Sequence, residues 1–77
     1  MTVEQPKLRF VICIENTDYP AALERRKIYQ VIPDDRAARH NLLRVIDESG
    51  EDYMYPKGYF IPVDFAPNIQ EALLRAA

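Results

Sequence analysis

The stretch from Leu42 to Tyr55 constrains the fold of this chain most, because it predicts two β-strands that fold back on one tight turn. Asp47 suits the first position of a type I turn, and Gly50 suits the left-handed residue that returns the chain. On either side of the turn the side chains alternate between two faces, so each strand can offer one face to a core. A lone hairpin is only marginally stable. The other segments must therefore supply its neighbours.

Three further segments predict strands. The run from Lys27 to Ile32 is rich in β-branched and aromatic residues, and the run from Tyr59 to Phe65 contains Pro62, which favours an edge position or a bulge. Residues 1–6 are expected to be a loose lead-in. The first strand is then predicted to begin near Lys7 and to alternate as far as Glu15, with one face formed by Leu8, Phe10, Ile12 and Ile14 and the other by Arg9, Val11 and Cys13.

Helical signals are short. Asp34 is a plausible N-cap for a helix from Asp35 to His40, and Asn41 suits the left-handed position after it. The segment Ala21 to Arg26 predicts a loop with at most a short turn. Pro67 suits the first position of a closing helix, and the residues expected to face the body of the domain are Ile69, Leu73 and Leu74.

Length and composition exclude several classes of protein. A chain of 77 residues predicts one domain, with an ordered core from about residue 7 to 75, and 48% hydrophobic residues are too many for a disordered chain. The net charge of −2 makes nucleic acid an unfavourable partner. No apolar run approaches the roughly 20 residues that span a bilayer, so no membrane is expected. One cysteine, Cys13, cannot form an internal disulfide and predicts a buried thiol, which fits a cytoplasmic setting.

Five short strands in so small a chain predict a mainly β fold, specifically a partly open barrel with a short helical turn and a C-terminal helical segment. The run from Arg44 to Pro56, together with Leu23-Glu24, Lys27 to Val31 and Phe60, resembles the small SH3-like barrel proteins found as uncharacterised short chains in bacteria and phages. The resemblance covers roughly residues 8 to 65. It implies an SH3-like fold, and it carries no catalytic residues to this chain.

Tyrosines are the most prominent candidate binding residues. In SH3-like barrels, aromatic side chains near the loops often form a groove for proline-rich or other extended peptides. The candidates here are Tyr53, Tyr55 and Tyr59. The alternative is that these rings pack in the core or at the barrel rim, which is the commoner arrangement, and no tryptophan is present to line a groove.

Charged residues offer weaker candidates. Arg25 and Arg26, with Lys57, would favour nucleic acid if they converged on one face. His40 is expected to cap its helix. The acidic cluster that brackets the hairpin turn comprises Asp47, Glu48, Glu51 and Asp52. It lacks the ligand spacing of a calcium loop, so we expect a solvated turn in which Asp47 caps the backbone and the other three residues keep the exposed tip soluble.

The sequence therefore predicts a non-enzymatic protein or peptide interaction module with no catalytic residues, metal or cofactor. The alternative is a weak nucleic-acid-binding accessory module. We expect a monomer or a weak homodimer, in which the edge strand near Phe60 to Phe65 would pair with a second copy.

Overall fold

The computed structural model describes residues 9–76. The predicted lead-in at residues 1–6, the predicted start of order near Lys7 and the strand position of Leu8 lie outside the described residues. The elements in chain order are β1 (Phe10–Cys13), β2 (Ile28–Ile32), α1 (Asp35–Arg39), β3 (Leu42–Ile46), β4 (Asp52–Pro56), a 3₁₀ turn (Lys57–Tyr59), β5 (Phe60–Val63) and α2 (Pro67–Arg75).

The strands form one five-stranded sheet in the order β4-β3-β2-β1-β5, and every neighbouring pair is antiparallel. The mainly β class and the predicted number of strands are confirmed. β4 and β5 are the two edges of the sheet. Within residues 9–76 no pairing joins these edges, so the sheet is not closed into a barrel.

β2 divides its length between two neighbours. Its first half pairs with β1, where Ile28 lies opposite Ile12, and its second half pairs with β3, where Val31 lies opposite Val45. A strand that changes partners along its length allows a sheet to turn back over its own inner face. The inner face therefore encloses a core with side chains from every strand.

The central hairpin follows its predicted geometry. The Asp47 N–H donates to the Glu51 carbonyl and the Gly50 N–H donates to the Asp47 carbonyl, both at 3.0 Å. Gly50 has φ of +84°, which is the left-handed conformation that the turn requires. Asp47 as the first turn residue and Gly50 as the last are both confirmed.

The core is lined by one face of each strand and by one loop residue. In β1 the face that meets the core is that of Val11 and Cys13, both fully buried, whereas Ile14 is 47% exposed. The predicted buried thiol at Cys13 is confirmed. Leu23, in the loop between β1 and β2, is also fully buried. The complete cluster contains Val11, Cys13, Leu23, Tyr29, Val31, Val45, Tyr55 and Phe60.

Helix α1 is capped as predicted. The Asp34 carboxylate accepts hydrogen bonds from the backbone N–H groups of Arg36 and Ala37, each at 3.0 Å. The helix ends at Arg39, one residue earlier than expected, and His40 is the C-cap. Asn41 has φ of +61° and so takes the predicted left-handed position.

Helix α2 begins at Pro67, as predicted. Leu73 and Leu74 are half-buried, but the expected inward position of Ile69 is wrong, because this residue is 44% exposed. Leu73 lines a groove against the outer face of the sheet, beside Phe10, Ile28 and Ile46. Ile69 lies one turn earlier and does not line that groove. Neither helix in residues 9–76 is long and apolar enough to cross a membrane.

Pro62 blocks the outer edge of β5. In a strand, the backbone groups of residues two apart point to the same side. Cys13 bonds Lys27 and Arg9 bonds Val31, both on the β2 side, so the backbone groups of Val11, midway between them, also point to β2. Pro62 pairs with Val11, so its nitrogen points away from β1. The other outward N–H of β5, that of Phe60, donates to the Lys57 carbonyl. The predicted edge position of the Pro62 strand is confirmed, and β5 offers no free outward donor.

The turn geometry predicts different responses at the two glycines. Replacing Gly50 with Ala should lower the free energy of unfolding by about 1 kcal/mol, because alanine resists the left-handed conformation. An added Cβ meets nothing within 4 Å at either Gly50 or Gly58, and only Gly50 has positive φ, so Gly58→Ala is the matched control. Urea unfolding of both variants checks this, and equal losses at the two positions would contradict it.

Candidate functional site

Three tyrosines from separate parts of the chain meet on one side of the domain. Tyr19 lies in the loop after β1, Tyr55 in β4 and Tyr59 in the 3₁₀ turn. The ring centroids of Tyr19 and Tyr55 are 4.9 Å apart and those of Tyr19 and Tyr59 are 6.2 Å apart, both edge to face. Tyr55 is buried at 3% exposure, Tyr59 is half-buried and Tyr19 is 41% exposed. We call the outer pair, Tyr19 and Tyr59, the tyrosine surface; Tyr55 supports it from below.

Tyr19 is held in place by its own loop. Its N–H donates to the Asn16 carbonyl at 2.9 Å, and its carbonyl accepts from the Leu23 N–H at 3.0 Å. The Asn16 side-chain amide donates to the Leu23 carbonyl at 2.9 Å. Since the Leu23 side chain is fully buried, it anchors the loop in the core. Tyr19 is therefore presented from a fixed loop.

Tyr59 is fixed by both its backbone and its hydroxyl. Its carbonyl accepts from the Ile14 N–H at 2.8 Å, which extends the β1 to β5 pairing. Its hydroxyl donates to the Asp18 carboxylate at 2.8 Å. The hydrogen bond to Asp18 raises the pKa of Tyr59, so the hydroxyl stays protonated. Asp18 also places a negative charge beside the tyrosine surface.

Tyr55 ends on a buried carboxylate. Its hydroxyl donates to Asp47 Oδ2 at 2.5 Å, while the Ser49 N–H and hydroxyl donate to Oδ1 at 2.8 and 2.5 Å. Burial of Asp47, at 7% exposure, opposes ionisation, but these hydrogen bonds from Ser49 and Tyr55 outweigh it and hold the pKa of Asp47 below its usual value. The predicted backbone cap by Asp47 is confirmed, because its Oδ1 accepts from the Ser49 N–H. The expected solvation is wrong for this residue, since its carboxylate is buried and completes the base of the tyrosine cluster.

Glu48 forms a second tyrosine and carboxylate pair. The Tyr29 hydroxyl donates to Glu48 Oε2 at 2.5 Å and accepts from the Glu24 N–H at 2.7 Å. Lys27 lies 2.6 Å from the same carboxylate, and the hydrogen bonds from Lys27 and Tyr29 lower the pKa of Glu48. The Glu48 N–H donates to the Ala22 carbonyl at 3.0 Å. The hairpin turn is thus tied to β2 and to the loop that carries Tyr19.

Asp52 and Glu51 complete the acidic cluster. Asp52 accepts from Arg44 at 2.9 Å, and Arg44 also donates to Asp34, the N-cap of α1, at 2.8 Å. Hydrogen bonds from the Ala37 N–H and from Arg44 lower the pKa of Asp34. Of the four residues in the acidic cluster, only Glu51 has a carboxylate that makes no hydrogen bond or ion pair with the described residues. Structural contacts account for the other three acidic residues.

The predicted tyrosines do not form one groove. Tyr53 is 51% exposed on the edge strand β4 and stacks on no aromatic ring among residues 9–76, whereas Tyr55 is interior. Tyr59 alone of the three contributes to the tyrosine surface. Tyr19 was not among the predicted site residues, and the signal that could have identified it is the turn-forming run Asn16 to Pro20, which places an aromatic residue in an otherwise polar loop.

Arg25 and Arg26 lie next to each other in the loop before β2. Both are exposed, and with Ile12, Cys13 and Ile14 they line an open groove of about 540 Å³. Arg26 has φ of +73°, held by a 2.7 Å hydrogen bond from its N–H to the Cys13 carbonyl. Neither Lys57 nor any tyrosine lines this groove. The groove beside Arg25 and Arg26 therefore combines two basic residues with no aromatic ring.

Metal-ligand groups, the thiol and the histidine were the remaining candidates for chemistry. Residues 9–76 contain no group of three or more histidine, cysteine, aspartate or glutamate side chains that could hold a metal ion. Burial raises the pKa of the Cys13 thiol, which disfavours the nucleophilic thiolate. His40 is an exposed helix cap.

Comparisons of the chain with protein-family models, with curated proteins and with solved structures find no match. Inference about function therefore depends on the geometry of the chain's own residues.

The Tyr55 hydroxyl is expected to matter for stability. Replacing Tyr55 with Phe should lower the free energy of unfolding by about 1 to 3 kcal/mol, because the buried Asp47 oxygen loses its donor. Tyr53→Phe removes a hydroxyl from an exposed ring and should change it by less than about 0.5 kcal/mol. Urea unfolding of the two variants compares them directly, and equal stabilities would show that the Asp47 contact contributes nothing.

Acid should destabilise the fold through Asp47. Its pKa is lowered in the folded state, so its contribution is fully present above the unfolded value of about 4 and is lost as the pH falls through the folded value. The free energy of unfolding should therefore decline below about pH 4, and Asp47→Asn should flatten this decline. Glu51→Gln, which alters a carboxylate without a described partner, should keep the wild-type slope. Parallel curves for wild type and Asp47→Asn would contradict this expectation.

Proposed function

We propose that this chain is a non-enzymatic protein-interaction module of the SH3-like class that binds an extended peptide across the tyrosine surface. One observation carries the proposal: Tyr19 and Tyr59 present exposed ring area from fixed positions above a buried third ring. Side chains that are ordered before binding lose little entropy when a ligand arrives. Aromatic surfaces of this kind suit peptide recognition.

The strand arrangement supports the SH3-like part of the proposal. β2 belongs to two three-stranded groups: it lies beside β1 and β5 on one side and beside β3 and β4 on the other. Sharing one bent strand is how a very small sheet encloses a core. A 3₁₀ turn joins β4 to β5, and it is this turn that delivers Tyr59 to the surface.

The surface chemistry indicates which peptide would fit. Aromatic faces accept the preformed ridges of a proline-containing extended segment. Asp18, which accepts from the Tyr59 hydroxyl, adds a carboxylate at the border of the surface. A basic residue in the peptide would meet this charge. The expected ligand is thus an extended, proline-containing segment with one lysine or arginine.

The alternative is a weak nucleic-acid-binding accessory module, and the groove beside Arg25 and Arg26 is the observation that favours it. Two features oppose it. The other residues that line the groove are Ile12, Cys13 and Ile14, so no aromatic ring is available for base stacking. The net charge of −2 provides no general attraction for a phosphate backbone.

A peptide selection tests the proposal. Peptides selected from a displayed random library on the immobilised protein are titrated against three folded proteins: wild type, Tyr19→Ala and Tyr53→Ala. We expect Tyr19→Ala to weaken binding by about 10-fold or more. Tyr53→Ala removes a comparably exposed tyrosine outside the tyrosine surface, and it should bind as wild type does. Thermal melts confirm that each variant is folded.

A parallel titration with single-stranded oligonucleotides separates the two functions. If oligonucleotide binding is lost in an Arg25→Ala, Arg26→Ala double variant and is unaffected by Tyr19→Ala, the nucleic-acid alternative replaces the peptide proposal. Selected peptides that bind Tyr19→Ala as tightly as wild type would place recognition elsewhere on the domain.

A further inference from the structure

The outer edge of β4 carries backbone groups that pair with none of residues 9–76. In the β3 to β4 ladder, the Asp47 N–H donates to Glu51 at one end and the Lys57 N–H donates to Asn41 at the other. Pairs that exchange hydrogen bonds alternate with pairs that do not. The register places Met54 opposite Arg44 and Asp52 opposite Ile46, and neither of these pairs exchanges hydrogen bonds. The N–H and carbonyl groups of Asp52 and Met54 therefore point away from β3, as does the Pro56 carbonyl.

This edge is also open and partly apolar. Asp52, Tyr53 and Met54 are three consecutive exposed residues, with Tyr53 at 51% and Met54 at 47% exposure. An uncovered edge with apolar side chains is a template for pairing with another strand. The β5 edge differs, because Pro62 and the bonded Phe60 N–H leave it no free outward donor. Pro56 also lacks an outward N–H, but Asp52 and Met54 still give the β4 edge two outward donors that no described residue uses, whereas the β5 edge has none.

We propose that β4 pairs in antiparallel orientation with β4 of a second copy of this chain, with the two-fold axis at Met54. In this register each Met54 N–H donates to the carbonyl of the partner's Met54, and each Asp52 N–H donates to the carbonyl of the partner's Pro56. Pro56 has no N–H and supplies only an acceptor, so the carbonyl of Asp52 opposite it receives no hydrogen bond across the seam and the pairing ends there. Four hydrogen bonds join the two sheets into one continuous sheet of ten strands.

Charge complementarity favours a second copy as the occupant. Counting outward from Met54, Glu51 comes opposite the partner's Lys57, and the symmetry repeats this opposite-charge pair. Both side chains are exposed and neither makes an ion pair with the described residues. Asp52 comes opposite the partner's Pro56, so no like charges face each other. The β4 edge includes neither Tyr19 nor Tyr59, so the proposed dimer does not depend on peptide binding at the tyrosine surface.

Sedimentation equilibrium of the full chain, from about 10 µM to about 1 mM, tests the proposal over the range expected for a small interface. The expected result is a reversible dimer. Met54→Lys and Met54→Glu each place two like charges at the axis, and each should raise the dissociation constant by about 5-fold or more. An equimolar mixture of the two variants should restore association, because residue 54 of one chain then faces the opposite charge at residue 54 of the other. Only an interface in which these two positions meet gives this rescue.

Four further variants test the register and the choice of edge. Glu51→Lys and Lys57→Glu should each weaken the dimer, and the double variant should recover it. Ile61→Lys alters an apolar residue of similar exposure, at 50%, on the blocked β5 edge and should leave the dimer unchanged. Thermal melts establish that each variant is folded.

A wild-type chain that stays monomeric at about 1 mM overturns the proposal. Failure of the Met54→Lys and Met54→Glu mixture to associate overturns the two-fold register. A dimer lost in Ile61→Lys and kept in both Met54 variants would move the interface to β5, against the proposal.

Discussion

The buried carboxylate of Asp47 is the interaction on which most of this structure depends. It shapes the hairpin turn through Ser49 and accepts the hydroxyl of Tyr55 from the core. A buried acceptor without its donors is costly, so turn, strand and aromatic cluster stabilise one another. Glu48, the next residue, binds Tyr29 and Lys27 of the β2 region in the same way. Asp47 thus ties the turn to β4 within the hairpin, and Glu48 ties the same turn to β2.

Local sequence rules predicted the parts of the fold that local physics decides. Gly50 and Asn41 have positive φ where the turn and the helix end required it, Asp34 caps α1 and Pro67 begins α2. Each of these positions depends on a few neighbouring backbone atoms. The mainly β class follows from the same local signals. Local signals do not show whether the sheet closes into a barrel, because closure depends on whether β4 and β5 pair. In the described sheet both strands remain edges.

The candidate site was only partly predictable, because exposure depends on residues distant in sequence. Tyr53 and Tyr55 share one face of β4, yet one is exposed at the edge and the other is covered by Tyr19 and Phe60. The alternation of side chains shows on which face of a strand a residue lies, but it does not show whether distant residues cover that face. Leu23 and Tyr19 lie in a loop where no periodic pattern exists to mark them. The order of strands in the sheet, which no local pattern contains, decides all of these cases.

The pairing of β1 with β5 joins residues far apart in the chain, with Phe10 opposite Val63. Long loops are costly to close, so we expect contacts of this kind to form after local hairpins such as β3 to β4. Tyr59 is positioned by a hydrogen bond from Ile14 that belongs to this closure. The tyrosine surface therefore comes into existence only when the two distant parts of the chain have met. A nascent or partly opened chain can display its hairpin before it can display that surface.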